Sequence, residues 1–93
     1  MSNIADEMHF KSLGKKSLKD AVKDWEAENE GKKLCDEEWV DLIWRGIGDL
    51  DESSLDYISN CKKLSLSSNL IVKVPNLRFS RLEIVSLGRN MIR

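Results

Sequence analysis

The sequence predicts an α/β fold in which an N-terminal helical cap precedes a short run of stacked coils, and three observations carry that prediction. Residues 61–71 and 82–92 repeat one pattern of apolar side chains and asparagine at a 21-residue offset. Upstream, Leu18, Ala21, Val22 and Trp25 recur at i, i+3, i+4 and i+7, the spacing of one buried helix face. The chain has 93 residues, 41% of them hydrophobic and 33% charged, with five glycines and one proline. That is apolar enough to fold and too short for more than one compact unit, and a domain of this size buries only about 60–65% of its unfolded surface.

Taken in order, residues 1–16 mix Met8, Phe10 and Leu13 with charges and Gly14 and hold no sustained period, so a mobile tail is expected there. His9, the single histidine, falls in that stretch and reads as a solvated tail residue. Ser17-Leu18-Lys19-Asp20 reads as a capping box, the serine hydroxyl accepting an orphan N–H of the first turn and Asp20 reaching back. Gly31 supplies a C′ residue, giving an amphipathic helix over residues 17–30. Such a helix is too short to be stable alone, so its Leu/Val/Trp stripe must bury against something.

Residues 36–50 contain Trp39-Val40-Asp41-Leu42-Ile43-Trp44, ended by Gly46 and Gly48. Alternation of Val40, Leu42 and Trp44 with Asp41 fits an edge strand, and a short helix from Asp36 fits almost as well. Asp51-Glu52-Ser53-Ser54 then starts a helical turn with Leu55 and Ile58 facing inward. Residues 17–60 together are expected to form the N-terminal capping region.

Residues 61–93 carry the repeat. Cys61, Leu64, Leu66, Asn69 and Ile71 align in register with Leu82, Val85, Leu87, Asn90 and Ile92, and both copies fit L-x-x-L-x-L-x-x-N-x-L. That is the leucine-rich repeat signature, whose period is about 20–29 residues. Leu64 and Leu66, like Val85 and Leu87, should point from a strand into the core, with Lys63, Ser65, Ile84 and Ser86 on the outward sheet face. Each asparagine follows its strand and can satisfy backbone groups of adjacent coils. Ile71, Val74, Leu77 and Phe79 should cover the convex side, with Pro75 in the outer loop. The expectation is a leucine-rich repeat solenoid truncated after about two repeats, the second incomplete, where about three are needed for stability. An open edge is then expected at residues 84–92, covered by residues beyond 93 or by another protein.

Cys35 and Cys61 form no metal-like or CxxC spacing, so reduced thiols are expected, with Cys61 a small apolar residue in the first slot of its repeat. No run approaches the roughly 18–20 apolar residues of a membrane span, and the start lacks a signal peptide's pattern, so the chain reads as cytosolic. Net charge is −1, which excludes the global basicity of a typical nucleic-acid binder. Charge is nonetheless segregated. Residues 35–60 carry one basic side chain against eight acidic, and residues 61–93 seven basic against one acidic. Either these charges pair within the fold, or the basic third steers toward an acidic partner. GxxxxGK[ST], GxSxG and HExxH are all absent, and no cysteine is paired with a second-site histidine, so neither an enzyme nor a cofactor or metal site is expected.

Three stretches go further: Ser17-Leu18-Lys19-Asp20-Ala21-Val22-Lys23-Asp24-Trp25-Glu26, Asn60-Cys61-Lys62-Lys63-Leu64-Ser65-Leu66-Ser67-Ser68-Asn69 and Val85-Ser86-Leu87-Gly88-Arg89-Asn90. In this order they resemble the light chain 1 family of axonemal outer-arm dynein, from about residue 17 to residue 93. The likeness takes in polar positions that the generic repeat leaves free, namely Asn60, Cys61, Ser65, Ser67, Ser86, Gly88 and Arg89. It implies a non-catalytic light chain in the cytoplasm, on the cytoskeleton of the ciliary or flagellar axoneme. Its partner would be a dynein heavy chain, near the microtubule-binding domain, with tubulin a further candidate and neither nucleic acid nor membrane involved. Family members carry further repeats and a basic helical cap, and the inter-repeat spacing here is one residue shorter, so the loop over residues 76–81 should differ. Partner contacts are expected at Lys63, Ser65, Ile84, Ser86 and Arg89, the alternative for each being a solvated sheet position. Trp25 is expected in the core, and Trp39 or Trp44 as an exposed aromatic anchor. A generic leucine-rich repeat adaptor or phosphatase-regulatory protein is the other reading; it would share the Leu/Asn spacing but has no reason to share Asn60-Cys61 or Ser86-Leu87-Gly88-Arg89.

Overall fold

A computed structural model describes residues 15–92. The helix forms where the apolar period places it. Strand β1 (Lys16–Ser17) leads directly into helix α1 (Leu18–Glu28), and the Ser17 hydroxyl accepts the Asp20 N–H at 3.1 Å. The reciprocal half of the capping box is missing among the described residues, consistent with a side chain one methylene shorter than the usual Glu. Leu18, Ala21 and Val22 are fully buried, and Trp25 packs half-buried against the same core. The helix is shorter than expected: Asn29 ends it, its N–H and side-chain amide both donating to the Trp25 carbonyl, and Gly31 takes the left-handed conformation two residues later (φ 85°).

Lys16, expected in the tail, instead pairs through β1 with β3 (Ile47–Asp49) in a two-stranded parallel sheet. Gly48 permits this approach: a Cβ built there would lie 2.8 Å from Cδ of Lys15. The remainder of the expected tail, residues 1–14, lies outside the described residues. Next comes a 3₁₀ turn (Leu34–Asp36), and then the ambiguous segment resolves as strand β2 (Trp39–Asp41). Beyond β3, Asp51 opens a second 3₁₀ helix (Glu52–Tyr57), where its carboxylate accepts both the Ser53 and Ser54 hydroxyls at 2.7 Å, and Leu55 and Ile58 turn inward as expected.

The second sheet is parallel, in the order β2, β4 (Lys63–Ser65), β5 (Ile84–Ser86). Its register aligns Val40, Leu64 and Val85 on the inner face. Residues 39–47 therefore follow the same course as the two repeats. Val40, Leu42 and Ile47 are fully buried, as are Leu64, Leu66 and Ile71 in the next coil. The turn after each strand also has one backbone signature: Trp44, Ser68 and Arg89 each stand at φ 58°. Three parallel strands, not two, are thus stacked.

An asparagine ladder joins the coils. Oδ1 of Asn69 accepts the Arg45 N–H at 2.9 Å and the Ile47 N–H at 3.1 Å, while Nδ2 donates to the carbonyls of Leu42, Leu66 and Ser67. One coil on, Asn90 accepts the Ile71 N–H at 3.0 Å and donates to Leu66, Leu87 and Gly88. Each asparagine closes its own turn and satisfies the coil before it, the role its position suggested. Ile71 is buried, and Val74, Leu77 and Phe79 lie half-buried against the core. At β5 burial fades: Val85, expected inside, is 38% exposed and Leu87 only half-buried. The reason is geometric, since among the described residues β5 has a neighbour on one side only.

Candidate functional site

The outward face of the β2–β4–β5 sheet brings the expected contact residues together in rows. Parallel register places Trp39, Lys63 and Ile84 side by side, and Asp41, Ser65 and Ser86 in the next row along the strands. Because side chains alternate across a strand, these rows share the face opposite Val40, Leu64 and Val85. Lys63, Ile84 and Ser86 are exposed and Ser65 is half-buried. Four of the five expected residues therefore form one surface. Arg89 does not share it: it stands in the turn after β5, stacked with Ser68 and Trp44 along the rim of the sheet.

The face is wider and more apolar than the two repeats suggested. Trp39 is 62% exposed and Trp44 76%, so both indoles, and not one of them, are in water. Ile43, between them in sequence, is also exposed. The signal for Trp39 lay in its outward parity relative to Val40 and Leu42, visible only once residues 39–47 are recognised as a coil. Trp25, by contrast, is half-buried under the cap.

Charge at the face is partly spent within the fold. Glu38 sits 3.3 Å from Lys62 and 3.8 Å from Arg81, so the acidic middle and basic third of the sequence do meet. Lys63 and Arg89 form no ion pair among the described residues. Beside the rim, Arg45 takes the place that asparagine holds in the later coils, and its guanidinium grips Glu28 of α1 through two bonds of 2.6 and 2.9 Å. That pairing holds the Glu28 carboxyl below the usual range, chiefly through the hydrogen bond, and raises Arg45 further. Burial pushes the Cys61 thiol up, as suits an apolar core residue. Among the described residues no three His, Cys, Asp or Glu side chains gather to hold a metal ion. No helix there is long and apolar enough to cross a membrane.

The described residues thus form an α/β fold whose three-stranded parallel sheet presents rows of outward side chains. Seven curated proteins match the sequence. Among them are dynein axonemal light chain 1 of Rattus norvegicus, 40% identical over 80 residues, and its counterparts in Xenopus laevis at 41% and Ciona intestinalis at 40% over the same length. Each alignment takes in 83% of this chain and 41% of the relative. The chain is thus related in sequence to dynein axonemal light chain 1, and corresponds to an N-terminal portion of it. It spans about two fifths of the length of these relatives. No family model and no solved structure matches it.

Proposed function

We propose that this chain acts as a non-catalytic, leucine-rich repeat light chain of axonemal outer-arm dynein. The N-terminal capping region, within residues 17–60, covers the array, the coil at residues 39–47 and the two repeats after it form the solenoid, and its outward face binds the dynein heavy chain near the microtubule-binding domain. Bound there, in a cilium or flagellum, it modulates how the motor engages the microtubule. The observation that carries this reading is the 80-residue similarity to dynein axonemal light chain 1. Lys63, Ser65, Ile84, Ser86 and Arg89 are its contact residues, and Trp39 joins them because the register sets it beside Lys63. An exposed indole beside a lysine, with an isoleucine on the strand beyond it, is the kind of surface from which binding hot spots are built. The test is titration of a recombinant heavy-chain microtubule-binding domain with the purified chain. Saturable binding that weakens between low and physiological salt is expected, because Lys63 and Arg89 are exposed cations. Absence of saturable binding at low salt overturns the proposal.

A further inference from the structure

Trp44 is the most exposed large apolar residue among those described. Its backbone lies at φ 58°, a region that bulky L-residues rarely enter, and 76% of the residue is in water. The fold does not need an indole there. Ser68 occupies the equivalent turn of the next coil at the same φ, and the interior positions of the first coil are already filled by Val40, Leu42 and Ile47. Because Ser68 and Arg89 repeat the same φ, the backbone conformation belongs to the turn; what is particular to Trp44 is a large apolar side chain left in water.

Beside it runs a groove of about 550 Å³, lined by Trp44, Gly46, Ser68, Asn69, Leu70 and Arg89. Its walls are mostly apolar, and the amide of Asn69 is already committed to the backbone. The charged group on the lining is Arg89, which has no ion partner among the described residues. Arg45, adjacent in sequence to Trp44, is neutralised by Glu28. The groove thus offers an apolar wall and one cation with no carboxylate paired to it among the described residues.

We propose that this rim groove anchors an acidic segment of the partner polypeptide, with an apolar side chain packed on Trp44 and Leu70 and a neighbouring Asp or Glu paired to Arg89. The inference rests on the heavy-chain reading above and extends the contact from the strand face onto the rim. Charge complementarity selects the occupant: the Arg89 guanidinium, without an ion partner among the described residues, selects an anion, and the bidentate geometry open to arginine suits a carboxylate.

The test uses the full chain and the heavy-chain microtubule-binding domain as probe, with Trp44→Ser and Arg89→Glu variants. Trp44→Ser installs the residue that Ser68 shows to be compatible with this turn, so its thermal midpoint should stay at or above that of the wild type. Its binding should weaken about 30-fold, as for truncation of an interface hot spot. Arg89→Glu should weaken binding by about tenfold or more and flatten its salt dependence. Wild-type binding that both variants retain overturns the groove as an anchor while leaving the light-chain reading intact. Wild type that does not bind overturns both. A Trp44→Ser variant whose midpoint falls together with its binding refutes the claim that Trp44 is dispensable for folding, and with it the inference.

Discussion

Asn69→Ala tests whether the asparagine ladder holds the coils together. Five bonds leave with the amide, yet they are not equivalent. The Leu66 carbonyl keeps the Asn90 amide as a donor, and the Ser67 carbonyl keeps the Trp44 N–H. The Arg45 N–H is only partly buried and can turn to water. Two groups lose their side-chain partner in full burial: the Ile47 N–H and the Leu42 carbonyl. At about 1–3 kcal/mol for each orphaned buried group, the loss is about 2–6 kcal/mol. A 93-residue chain has on the order of 5–14 kcal/mol to lose. With a urea slope of about 2 kcal/mol/M, the unfolding midpoint should fall by about 1–3 M.

Urea titration followed by far-UV circular dichroism, with tryptophan emission as a second probe, reads that shift. Asn90→Ala is the internal comparison. Its amide is only half-buried, and of the groups it serves the Leu66 carbonyl keeps Asn69, so about 1–2 kcal/mol is expected. Asn69→Asp sharpens the test, since it sets a carboxylate oxygen against the carbonyls that Nδ2 now serves. That raises the pKa of the new group in the folded state, so this variant should regain stability as pH falls toward the ordinary aspartate value of about 3.9. Equal losses for Asn69→Ala and Asn90→Ala, or a loss at Asn69 below about 0.5 kcal/mol, refute the ladder argument.

Two further outcomes follow from other contacts. The Glu28 carboxyl is lowered by Arg45, so the stabilisation it gives is present above its ordinary value of 4.5 and is lost as pH falls through the depressed one. Arg45→Met should remove that acid-dependent step from the thermal midpoint measured between neutral pH and pH about 3, while leaving the profile above that ordinary value flat. Cys35 is half-buried and Cys61 buried with its thiol raised, so a disulfide reagent should titrate one thiol per native chain rapidly and the second only on unfolding. Two fast thiols under native conditions would place Cys61 outside the core.

Much of the fold was legible because its strongest constraints are local and repeated. The helix stripe, the Ser17 cap and the Leu64–Leu66–Asn69–Ile71 spacing each express a rule that acts within a dozen residues, and each stands where expected. The ends of elements were less legible. Whether Lys16 pairs with Ile47 depends on a strand arriving from thirty residues away, and Val85 is exposed because of which neighbours β5 has, not because of its own apolarity.

The first coil escaped detection for a reason contained in the ladder itself. Asn69 serves the Arg45 and Ile47 amides, and Asn90 serves the Ile71 amide, so each asparagine supplies the coil before its own. Among the described residues no coil of this sheet precedes β2, and there the position can be released to other work. It became arginine, which reaches the helical cap through Glu28. A repeat recognised by its asparagine is therefore blind to the coil next to the cap, and the offset of 24 residues between Val40 and Leu64, against 21 between Leu64 and Val85, hides it further. The turn residues offer no help, because Trp44, Ser68 and Arg89 share a backbone conformation and no side-chain chemistry. That omission also shaped the expected site. Counting two coils centred the contact on Lys63, Ser65, Ile84 and Ser86, all small or flexible except the isoleucine. The first coil adds Trp39 on the face and Trp44 on the rim, the two most exposed large apolar side chains described. If the sheet binds its partner through buried aromatic area, as interfaces commonly do, most of the affinity should come from the coil that the repeat pattern does not reveal.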